Sequence, residues 1–308
     1  MSLAVITAKQ VLQLFLLIFT GAACYKLHLL HDDAKPVFSD LLLYLIAPAM
    51  ILDSYMVEFD PETFHNLMMS FRYSAILMVG GLLITLLVTS RMTHPDKTVI
   101  RFGCTFSNAG YMGFPLIRAL FGQEGLLYAS AFLTLFNILL WTAGYAIMVG
   151  TLDKKAIFKT IITSPSIIAV VLGLIIYLNR IPVSDMIQTP IGLIGDMNTP
   201  LSMIVTGITI AGSQLKRLFS NRRLILMIGL RIFLIPLLGL AVMKLLHASG
   251  IVATIVLILE ACPTAAITTM FSIKYHHNEE LAAGAVILST LLSVVTLPLF
   301  ALLLSSVL

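Results

Sequence analysis

Apolar runs long enough to cross a bilayer alternate with short polar connections along the chain. A hydrocarbon core of roughly 30 Å needs about 20 residues of helix. By that measure the pattern predicts ten spans, at 6–26, 37–57, 71–90, 98–120, 125–150, 157–179, 188–212, 223–246, 251–273 and 281–306. Two of them are interrupted near their middles. The fourth carries TFSNAGYMGFPLIRALFG over 105–122, and the ninth carries EACPTAA over 260–266. Asn108 lies about ten residues into its span, roughly 15 Å deep at 1.5 Å per residue. Pro263 reaches a similar depth from the opposite face.

Composition removes any soluble reading. Apolar residues make up 59% of the 308 and charged residues 11%, with a mean hydropathy of +1.01; soluble domains carry roughly 25% charge. The start lacks the basic region of a cleaved signal, so 6–26 reads as a retained first span. The three cysteines, Cys24, Cys104 and Cys262, show no metal-ligand or disulfide spacing. Neither a metal nor a cofactor is expected.

Charge then orients the spans. Thirteen of the nineteen Lys and Arg residues fall on one side of the ten-span layout and five on the other, with Arg231 inside a span. Cytoplasmic loops carry that excess, so both termini are expected outside the plasma membrane. The basic run KRLFSNRR at 216–223 serves as an orientation signal, with contact to anionic membrane lipid secondary. The net charge of +4 carries no nucleic-acid signal.

A division near Asp153 gives two five-span sets, 1–153 and 154–308. Pro48 corresponds to Pro200 at an offset of 152; QEGL at 123–126 corresponds to NEEL at 278–281 at 155, and that offset sets Asn108 on Pro263. Five is odd, so the second set enters the membrane from the other side. Inverted repeats of this kind place a transport site at midplane.

Each interruption has the chemistry of a helix that ends and restarts. Ser107 or Asn108 can cap the following half-helix with a side-chain oxygen, Gly110 loosens the turn, and Pro263 suits a first helical position with Thr264 beside it. Thr105, Ala109 and Cys262 complete the two breaks. Facing each other, the breaks would gather free N–H groups and positive dipole ends, an anion site. Buried charge needs a reason at this depth. Glu260 is either a proton- or sodium-coupling group or a structural carboxyl. Arg231 is either a counter-charge for a substrate carboxylate or a permanent partner for Glu260. Asp53 lies near an interface, and Asn137 suits a helix–helix hydrogen bond.

SNAGYMGFPLIRALFG (107–122) and the segment from EACPTAA to VTLPLF (260–300) resemble the fourth span and the last two spans of the auxin efflux carrier family, which includes plant PIN-FORMED carriers and bacterial permeases. The resemblance implies an all-α polytopic fold of ten helices as two inverted five-helix repeats, with broken helices 4 and 9 crossing. Helices 1, 2, 6 and 7 would form a scaffold, with a homodimer through helices 2 and 7. Helices 3–5 and 8–10 would form a bundle carrying small organic carboxylate anions, such as malate, malonate or auxin, in an elevator movement. Two features depart from the plant pattern: Phe106-Ser107-Asn108 lacks the central proline, and no long central loop is present.

No nucleotide-binding Gly-rich loop and no H-E-x-x-H stand in the sequence, so neither ATP drive nor an intramembrane enzyme is supported. Sodium-coupled symport resembling the bile acid carriers, and a transporter-fold sensor, are the alternatives.

Overall fold

The computed structural model describes residues 3–150, 158, 162–212 and 221–307. Most of the basic run at 216–223, and Lys154, Lys155 and Lys159 with the start of the sixth predicted span, lie outside them. Helices make up the described chain, and no strand occurs among the described residues. They are α1 (Leu3–Lys26), α2 (Ala34–Ser54), α3 (Pro61–Val88), α4 (Lys97–Thr105) and α5 (Ala109–Val149). After these come α6 (Pro165–Leu178), α7 (Asp185–Ala211), α8 (Arg222–Leu245), α9 (Gly250–Ala261), α10 (Ile267–Lys274) and α11 (Glu279–Val307). Seven of them, α1, α2, α3, α5, α7, α8 and α11, are long and apolar enough to cross a membrane. This is a polytopic membrane protein.

Local sequence explains most of the boundaries. Asp60 opens α3 by accepting from Thr63 N at 2.7 Å and Thr63 Oγ1 at 2.9 Å. Those two bonds hold the Asp60 carboxyl below its usual range, and Pro61 fills the first helical position. The cap explains why α3 begins ten residues before the predicted 71: hydropathy marks the apolar part of a helix, not its polar start. Gly122, at φ 65° and ψ −151°, bends the 41-residue α5 sharply, a conformation only glycine adopts readily.

Prolines leave a second signature. The π-turns Leu42–Ile46, Ala109–Gly113 and Gly229–Leu234 each end two residues before a proline, Pro48, Pro115 and Pro236. A proline ring crowds the carbonyl four residues back and offers it no N–H. In each case the residue before the proline donates five residues back instead, as Phe114 N does to Ala109 O. The prolines widen these helices without breaking them.

Packing separates two groups of helices. In the first, α1 lies along α7, and α2 lies against α6 and α7. The α1–α7 crossing is a backbone contact: a Cβ on Gly21 would lie 2.3 Å from Ile204 O, and one on Gly207 would lie 2.0 Å from Ile18 O. In the second group, α3 packs on α5, α8 and α9, while α4 and α10 sit against α11. Helix α1 also runs beside α11, linking the two groups.

Candidate functional site

Between α4 and α5, and between α9 and α10, the chain leaves the helix inside the second group. Phe106 is extended, at φ −101° and ψ 113°. Cys262 is extended too, at φ −59° and ψ 152°, as the residue before a proline is driven to be. The two extended pieces cross antiparallel, with Ser107 facing Thr264. Asn108 N donates to Pro263 O at 2.7 Å, and Ala265 N donates to Phe106 O at 2.9 Å. Thr264 N is held by Ser289 Oγ of α11 at 3.0 Å. The first break has no proline; it takes its shape from pairing with the second, which has one.

One expectation needs correction. Neither Ser107 nor Asn108 caps the restarting helix with its side chain: Ser107 Oγ has no partner, and Asn108 makes no side-chain cap bond. The Asn108 carbonyl does the work, accepting from Met112 N at 2.9 Å and Gly113 N at 3.2 Å, because a π-turn bifurcates there. In the crossing itself Ser107 faces Thr264, and the Asn108 N–H bonds the Pro263 carbonyl.

Arg231, fully buried in the π-turn of α8, lies beneath the crossing. Its Nη1 donates to Cys104 O at 2.9 Å and to Glu260 Oε1 at 3.2 Å, its Nε to Cys262 O at 3.2 Å, and its Nη2 to Glu260 O. The ends of α4 and α9 each present unpaired carbonyls with partial negative charge. One guanidinium satisfies both ends and pairs the Glu260 carboxylate as well. Four of its five N–H groups are thereby committed inside the protein.

A cavity of about 900 Å³ opens between the two helix groups. Its inner wall includes Tyr111 and Ala266, immediately beyond the two breaks, and the hydroxyl-bearing Thr206, Thr209 and Thr269. Asp32, Lys35, Glu279 and Glu280 stand at its mouth. There Lys35 Nζ donates to Asp32 Oδ1 at 2.6 Å and holds the Asp32 carboxyl below its usual range. The N–H groups of Ala109, Gly110 and Tyr111 begin a helix and find no acceptor within it. The hydroxyls of Ser107, Thr264 and Thr269 are buried without a hydrogen-bond partner.

Residues 6–301 match the family model described as membrane transport protein, the family of the auxin efflux carriers and PIN-like proteins. The chain belongs to that family. It is 23% identical over 300 residues to an uncharacterized transporter of Methanothermobacter thermautotrophicus, covering 96% of this chain and 97% of the relative. It is 25% identical over 201 residues to uncharacterized transporter MJ1031 of Methanocaldococcus jannaschii, covering 63% of this chain and 64% of the relative. The family is one of membrane transporters, not of enzymes.

In this transporter the breaks gather ten of the twelve residues singled out from the sequence. Thr105 Oγ1 turns back to Arg101 O at 2.8 Å. Ala109, Cys262 and Thr264 are fully buried, and Gly110 O accepts from Asn198 Nδ2 at 3.0 Å. Ser107, Asn108, Pro263, Glu260 and Arg231 complete the group. Asp53 stands apart at the end of α2, 3.4 Å from Gln123 Nε2. Asn137 bonds Leu133 O of its own helix at 2.9 Å and so does not form the interhelical bond expected of it. Sequence reasoning overlooked Tyr111, Ala266 and the threonines. The one available signal was hydroxyls one turn apart in an apolar helix, Thr206 and Thr209.

Proposed function

We propose that this family member is a secondary transporter of small organic carboxylate anions, binding them where the cavity meets the crossing. The cavity carries the reading: it ends at Tyr111 and Ala266, where two helices begin. Helix starts supply positive dipole ends and unengaged N–H groups, which favour an anion. The Asn108 amide adds a polar group that no cap consumes.

The proposed movement is elevator-like, with ten spans in two inverted sets, 1–153 and 154–308. Counting α4 with α5 up to Gly122 as one interrupted span, α9 with α10 as another, and the rest of α5 separately gives ten. The meeting of the fourth-span and ninth-span breaks in one antiparallel crossing supports the inversion. So does a pair of close contacts: Gly21 of α1 meets α7, and Gly173, 152 residues later, meets Tyr55 just beyond α2. The proposed bundle is tied internally. Asp96 accepts from Arg223 Nη1 and Asn278 Nδ2, each at 2.9 Å, and His277 Nε2 lies 2.7 Å from Met148 O. Scaffold and bundle meet through fewer polar contacts, notably Ser202 Oγ to Tyr111 O at 3.3 Å and the Arg118–Asp196 ion pair. With the basic loops cytoplasmic, both termini lie outside the plasma membrane and the cavity faces inward. A homodimer through α2 and α7 belongs to the same proposal.

Uptake of labelled malate into proteoliposomes tests the site. Asn108→Ala is expected to cut uptake about tenfold or more, the worth of a hydrogen bond to a charged group, with little change in Tm. Equal losses of uptake and folded protein would make Asn108 structural; binding without flux would favour a sensor, and collapse of uptake on sodium removal at constant pH a sodium symporter.

The ion pair gives a second check. Arg118 and Asp196 are both roughly half exposed, so their bond is worth about 1 kcal/mol at most. Arg118→Gln is expected to raise labelling of a Thr209→Cys probe from the Arg118 side by up to about fivefold. Unchanged labelling would remove the pair from the gate.

A further inference from the structure

A second cavity, of about 600 Å³, lies away from the crossing between α3, α4 and the far end of α5. Leu82 and Leu86 form one wall, and Ala143 and Ile147 the other. Each pair is one helical turn apart, so the walls are two facing apolar ridges. Lys97 and Arg101 close one end, on successive turns of α4. The start of α4 adds the positive end of its dipole there.

These cations have no carboxylate partner among the described residues. Asp96, the adjacent acid, is taken by Arg223 and Asn278. Arg101 Nε is fixed by Thr89 Oγ1 at 2.8 Å, and Lys97 Nζ reaches Ser90 O at 3.3 Å. The Arg101 Nη atoms make no hydrogen bond among the described residues. Beside the groove, Leu83 and Leu87 of α3 are exposed, a surface fit for lipid.

We propose that this groove binds an anionic phospholipid, its phosphate on Arg101 and Lys97 and an acyl chain between the leucine and alanine–isoleucine ridges. A free anion would use the cations and leave the apolar walls wet; a zwitterionic lipid would use the walls and bring its own cation to Lys97 and Arg101. Only a lipid with net negative charge matches both ends. Basic pockets between membrane helices on the cytoplasmic side recognise such headgroups.

Native mass spectrometry of delipidated, refilled protein tests this, with phosphatidylglycerol and phosphatidylcholine of identical chains. Wild type is expected to retain phosphatidylglycerol about tenfold better. The Lys97→Gln/Arg101→Gln variant is expected to lose that preference. Leu86→Trp, which fills the groove and keeps both cations, is expected to lose retention; it decides the matter alone if the charge variant does not fold. Equal retention of the two lipids, a preference surviving either variant, or displacement by millimolar inorganic phosphate would overturn the proposal.

Discussion

Arg231→Met unfolds at a much lower temperature than wild type. The substitution keeps the volume and removes the charge, leaving the buried Glu260 carboxyl without its partner. Breaking a buried ion pair from one side costs about 3–5 kcal/mol. Here the carbonyls of Cys104, Glu260 and Cys262 lose their donor as well. Adding Glu260→Leu removes the stranded acid and is expected to recover part of the loss; the remainder belongs to the carbonyls. Thermal unfolding in detergent checks both steps. A single variant as stable as wild type would contradict the central placing of Arg231, and full recovery in the double variant would deny the carbonyl bonds any weight.

The same substitution at two glycines is expected to act in opposite directions. Gly207→Ala places a methyl 2.0 Å from Ile18 O and 2.7 Å from Ala22 N. Both neighbours are backbone, so no rotamer relieves the clash and α1 must move off α7. Overpacking costs about 1–3 kcal/mol or more, a fall in Tm of about 5 °C. Gly80→Ala in α3 meets nothing within 4 Å and gains helix propensity of up to about 1 kcal/mol. Its Tm is expected to hold or rise. Loss of stability in both would mean that any side chain harms these helices, and the contact at Gly207 would explain nothing.

The sequence revealed the breaks because polar and proline residues in the middle of an apolar run have few other uses. Pro263 predicted its own turn, since it fixes the residue before it. Ser107 and Asn108 gave the position of the first break but not its wiring, because pairing with a segment more than 150 residues away decides which groups are satisfied. Arg231 was visible as a buried charge. Its role as a shared cap was not, because backbone carbonyls carry no sequence signal. The widened turns before Pro48, Pro115 and Pro236 were not legible, because Pro190 and Pro298 sit inside helices that stay regular and Leu140–Gly144 widens with no proline after it. The cavity wall escaped notice because Tyr111 and Ala266 matter through backbone position, not side-chain chemistry.

The crossing of α1 and α7 bears on how the chain is made. Gly21 waits for Ile204, which leaves the ribosome about 180 residues later, ~10–40 s at ordinary synthesis rates. The other large neighbour of α1, α11, is the last helix synthesised among those described. For most of translation the first helix therefore sits in lipid without its two largest packing partners, and the two halves of the protein close around it only when the chain is nearly complete.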